Sequence, residues 1–65
     1  MVSWNPATRQ MIINDDGTTS FYGEGSCLST DAKPTTGVAN GSTLLEMNTS
    51  KVFAFDADSA TWKEL

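Results

Sequence analysis

A chain of 65 residues supports one domain at most, and a chain this short buries only about 60% of the surface its unfolded form exposes. The single cysteine, Cys27, excludes an internal disulfide, and one thiol without any histidine excludes the usual zinc sites. A net charge of −4, with only Arg9, Lys33, Lys51 and Lys63 basic and all four scattered, argues against a nucleic-acid partner.

The opening "MVSWNPATRQ" has no apolar core of the kind a signal peptide needs, and no apolar run is long enough to span a membrane. The expected setting is therefore a cytoplasm, in keeping with a lone unpaired thiol. Asn40-Gly41-Ser42 and Asn48-Thr49-Ser50 fit the glycosylation pattern, but in that setting they read as turns. Met1 and the closing Trp strand are expected to bound a complete gene product.

Apolar residues come in short runs separated by Gly, Ser, Thr, Asn and Asp, and no window carries helical spacing, so the expected fold is all-β. "RQMIIN" (9–14) and "TTSFY" (18–22) read as strands joined by a turn at Asp16-Gly17, where glycine supplies the positive φ. Asn5-Pro6 leads into this hairpin, with Trp4 available to cover one face. Residues 23–42 are rich in turn formers, and beyond a brief strand at Cys27-Leu28 they read as an irregular segment, lying across the chain's own sheet or a neighbour's.

Residues 43–65 read as a three-stranded meander. A three-residue loop, Asn48-Thr49-Ser50 with Ser50 left-handed, sets Met47 opposite Lys51, Leu45 opposite Phe53 and Thr43 opposite Phe55. One face then carries Leu45, Met47, Phe53 and Phe55 as candidate core. The other carries Leu44, Val52 and Ala54 beside Glu46 and Asp56, and is apolar enough for an interface. A two-residue Thr49-Ser50 turn separates the aromatics from Leu45 and Met47, which selects the longer loop. A turn at Ala57–Ala60 returns "TWKEL" and places Trp62 near Phe55.

No motif here carries chemistry. "FDADSAT" has Ala60 where the aspartyl-nucleophile phosphatase loop needs Thr or Val, and the chain is too short for the α/β domain of that chemistry. Asp56 and Asp58 lack the further oxygen ligands of a calcium loop, and Cys27 has no histidine base. Gly23, Gly25, Gly37 and Gly41 are followed by no Gly-Lys-Ser/Thr, so they make no phosphate loop. Neither a cofactor nor a catalytic residue is expected.

"GSTLLEMNTSKVFAFDADSATWKEL", with the preceding "CLSTDAKPTTGVAN", resembles a pattern of small β proteins and fibre segments encoded by tailed bacteriophages and prophages. That pattern runs from a Gly-Ser start through an apolar strand, an Asp/Asn-Thr-Gly-Lys turn and an aromatic strand ending in Tyr/Phe-Asp to a final Trp strand. It covers residues 27–65, with Asn48 and Ser50 standing where Asp and Gly are usual. The resemblance implies a virion structural or accessory protein, made in the bacterial cytoplasm, in a symmetric homo-oligomer such as a trimer and in contact with other virion proteins. Two alternatives stand beside it. One is a non-packaged binder of a host factor, and the other a carbohydrate-binding module stacking sugars on Trp4, Tyr22 or Trp62.

Overall fold

A computed structural model describes all 65 residues. The fold is all-β, with seven strands and no helix: β1 (Ser3–Trp4), β2 (Gln10–Ile13), β3 (Thr19–Tyr22), β4 (Glu24–Cys27), β5 (Thr43–Glu46), β6 (Lys51–Asp56) and β7 (Thr61–Glu64). Five of them form a mixed sheet in the order β1-β4-β5-β6-β7, while β2 and β3 form a separate two-stranded ribbon.

The ribbon follows its turn chemistry. Asn14 and Thr18 close a loop of Asp15, Asp16 and Gly17, in which the Asn14 amide donates to the Thr18 carbonyl at 2.8 Å and Gly17 takes a φ of 87°. Asp16 Oδ1 accepts from the Thr18 amide at 3.0 Å and the Thr18 hydroxyl at 2.6 Å, an Asx turn that fixes the reversal.

The segment from 23 to 42 is not irregular throughout. Its start, "EGSC", is β4, which runs antiparallel to β1 and parallel to β5. Gly and Ser are poor strand formers in isolation, so this strand is selected by tertiary packing. A Cβ on Gly25 would lie 2.3 Å from the Ser3 carbonyl oxygen, 3.1 Å from Trp4 Cε3 and 3.2 Å from Leu44 Cδ2, so only glycine lets β1 and the Trp4 indole approach this closely.

The rest of the connection lies on the chain's own sheet. Leu28 and Asp31 close a turn, with Asp31 accepting from the Leu28 amide at 2.8 Å and its own amide donating back at 3.0 Å. Ser29 and Asn48 exchange two hydrogen bonds, at 2.9 and 2.7 Å. Further along, Trp62 Nε1 donates to the Pro34 carbonyl at 2.8 Å, and Val38 bridges to Phe21.

The meander is present, but its first register differs from the expected one. Ser50 is left-handed (φ 60°), yet the loop holds four residues, Met47 to Ser50, because Glu46 pairs with Lys51, Leu45 with Val52, Leu44 with Phe53 and Thr43 with Ala54. Leu44 and Glu46 therefore share a face with Phe53 and Phe55, and Leu45 and Met47 share the opposite face with Val52 and Ala54. The reason is Glu46. A carboxylate is expected outside because burying it alone is costly, but here it accepts from Lys33 Nζ at 2.6 Å and from the Thr49 hydroxyl at 2.7 Å.

The core sits on that face. Leu44 is fully buried (0% exposed) and Phe55 nearly so, with the Trp62 ring 5.0 Å from Phe55 and 6.5 Å from Trp4. The second tight loop, Ala57 to Ala60, repeats the geometry of the first: Asp56 pairs with Thr61, and Ala60 has a φ of 52°.

Candidate functional site

The singled-out residues divide between core and surface. Leu44, Phe55 and Trp62 belong to the packed face, and the half-buried Phe53 carries the Lys33 ammonium 4.5 Å from its ring centroid. Leu44 is thus withdrawn from the expected interface face. Leu45, Met47 and Val52 lie exposed on the opposite side of the sheet, in a row that Leu65 extends, its N–H donating a hydrogen bond to the Val52 carbonyl at 2.8 Å. Asp16, Gly17, Asn48, Thr49 and Ser50 form the two turns, where Asn48 also holds the Ser29 backbone.

Trp62 is an unsuitable stacking platform, since Phe55 and Trp4 flank it and Pro34 takes its N–H. Asp56 receives the Asp58 amide at 3.1 Å and so caps its own turn. Cys27 is buried inside β4.

Two further surface features stand out in the structure. The first is the exposed apolar face of the expected β2–β3 ribbon, of which β2 is exposed along its whole length. Met11 pairs with Phe21 and Ile13 with Thr19, so Met11 (61% exposed), Ile13 (74%) and Phe21 share one apolar face. The far edge of β3 is covered, as the Phe21 amide donates to Gly37 and its carbonyl accepts from Ala39. The edge of β2 carries no further strand. The consecutive apolar residues of "MII" were the available signal, since a ribbon with one buried face would alternate.

The second feature is a cleft of about 200 Å³ between the ribbon, β1 and the connection, lined by Trp4, Arg9, Phe21, Tyr22, Pro34 and Gly37 among others. The Arg9 guanidinium lies 4.8 Å from the Phe21 ring centroid. Trp4 and Tyr22 are recognisable in the sequence as candidate platforms, but no local pattern sets Arg9 or Phe21 beside them, because the cleft forms only when residues 34–38 dock against β3.

The chain matches no protein-family model, no curated protein and no solved structure.

Proposed function

We propose that this chain is a structural or accessory protein of a tailed-phage virion, which acts through contact rather than catalysis and assembles with copies of itself and with other virion proteins through the β2–β3 ribbon. The observation that carries the reading is the apolar face of Met11, Ile13 and Phe21 on a ribbon whose outer strand is exposed on both sides. A two-stranded ribbon is marginal in water by itself, and an exposed apolar edge strand is a template for pairing. A partner laid on this ribbon relieves both problems. The resemblance of residues 27–65 to phage β proteins supports the virion setting, and Ser50 holds the left-handed position where that pattern has glycine.

The test is the native mass of the purified chain over a dilution series, together with a search for the chain in purified particles. The reading expects an oligomer that Met11→Lys and Ile13→Lys convert to folded monomers, and it expects the chain in virions. A wild-type monomer at every concentration, with none in particles, would overturn it and favour a soluble host-factor binder.

A further inference from the structure

The cleft beside the ribbon holds a cation without a carboxylate partner. The chain has five basic groups including the N-terminal amine, and four of them meet carboxylates: the amine with Asp31, Lys33 with Glu46, Lys51 with Glu64 and Lys63 with Asp56. Arg9 alone is left over, although the chain carries eight acidic residues. Its guanidinium is held over the Phe21 ring in the cleft wall, which limits the freedom it would lose on gripping a ligand.

We infer that this cleft binds a carboxylated sugar unit of the uronic-acid type, with Arg9 taking the carboxylate while Trp4 and Tyr22 receive the ring. Three observations select this ligand class. A single guanidinium suits the single charge of a carboxylate, with its two parallel N–H···O bonds, better than it suits a phosphate cluster. The partly exposed aromatics Trp4 and Tyr22 offer the flat apolar surfaces on which the C–H face of a sugar ring rests. On the β3 side of the cleft the main-chain groups are already committed, because Phe21 bonds to Gly37 and Ala39, and Gly23 bonds to Ser42 and Thr43. An extended peptide therefore cannot add to β3 as a further strand, whereas a sugar needs no main-chain partner there. Phe21 borders both this cleft and the ribbon contact proposed above, but Met11 and Ile13 do not line the cleft, so Met11→Lys and Ile13→Lys test the contact while Arg9→Gln tests the cleft.

The experiment is a ¹⁵N NMR titration of the full chain with three probes: methyl glucuronide, the neutral methyl glucoside, and a dipeptide with a free C-terminal carboxylate. The expected result is shifts confined to the cleft, at Trp4, Arg9, Phe21, Tyr22, Gly23 and Gly37, with the glucuronide about fivefold tighter than the glucoside, the scale of a partly exposed ion pair. Arg9 is exposed, so Arg9→Gln leaves the spectrum dispersed while it abolishes the preference for the acid; Tyr22→Ala weakens both sugars together. Equal binding of acid and neutral sugar, a preference that survives Arg9→Gln, tighter binding of the dipeptide, or no shift with any probe would overturn the inference.

Discussion

Glu46 and Lys33 meet at 2.6 Å, and the same carboxylate takes the Thr49 hydroxyl at 2.7 Å, so one side chain ties strand β5 to the connection and to the first tight loop. The hydrogen bond from Lys33, then that from Thr49, holds the Glu46 carboxyl below its ordinary value of 4.5. Asp31, Asp16 and Asp56 are also lowered, chiefly by hydrogen bonds from the N-terminal amine, Thr18 and Ser59 respectively. Carboxyls depressed in the folded state contribute stability that is present above their unfolded values and lost as pH falls through their folded ones. The melting temperature is therefore expected to fall on acidification below 4.5, and Glu46→Gln to be less stable at neutral pH but less sensitive to acid. Superimposable acid profiles for the two proteins would refute the role given to this carboxylate.

Ser50 and Ala60 occupy equivalent left-handed positions at opposite ends of β6. A side chain there strains against its own backbone, and glycine does not. Ser50→Gly and Ala60→Gly are each expected to stabilise the fold by about 0.5–1 kcal/mol, additively because the loops share no contacts, and valine at either position should destabilise it. Chemical denaturation of the singles and the double measures this. Equal midpoints for Ser50, Gly and Val would contradict the turn geometry.

The register of β5 against β6 separates two neighbouring leucines. Leu44→Ala removes a side chain with no exposure and is expected to cost about 2–5 kcal/mol, enough to unfold so small a domain, whereas Leu45→Ala on the open face should cost under about 1 kcal/mol. Phe55→Leu is the milder probe of the same face, with a loss about as large as that of a buried methylene or two. If Leu45→Ala were the more damaging change, Leu45 would have to face Phe53, as in the three-residue loop.

Gly25 marks where β1 meets the sheet. Alanine there would drive its Cβ to 2.3 Å from the Ser3 carbonyl, so the two strands must part. An overpacked site of this kind costs about 1–3 kcal/mol. Gly25→Ala is expected to release Trp4 from its bed and red-shift the tryptophan emission. Using Trp62→Phe as the background assigns the change to Trp4.

The architecture was largely legible in the sequence wherever a local cue set it. Asp16-Gly17 specified the ribbon, Ser50 the left-handed turn position, and Ala57–Ala60 the return that sets Trp62 against Phe55. What escaped depended on partners distant along the chain. Glu46 sits inside because of Lys33, thirteen residues upstream, and that single contact reverses which of Leu44 and Leu45 is core. Strand β4 has no apolar alternation to reveal it, since Gly25 is there to make room for Trp4. The cleft was half visible: Trp4 and Tyr22 stand out as aromatics, but nothing in their spacing brings Arg9 to them.

The parallel pairing of β4 with β5 governs the order of folding. β5, β6 and β7 are joined by tight loops and can zip locally, whereas β4 cannot reach β5 until the stretch from Leu28 to Ser42 has closed as a loop. Closing a loop costs entropy before the pairing repays it, so the meander is expected in the transition state and β4 after it. Refolding kinetics would show this as Val52→Ala slowing folding and Ser26→Gly mainly speeding unfolding. On the ribosome, β1 and β4 emerge before β5, β6 and β7 and must wait, with an open edge, for the strands that complete their sheet. The strands of the five-stranded sheet that are synthesised first are the ones that join it last.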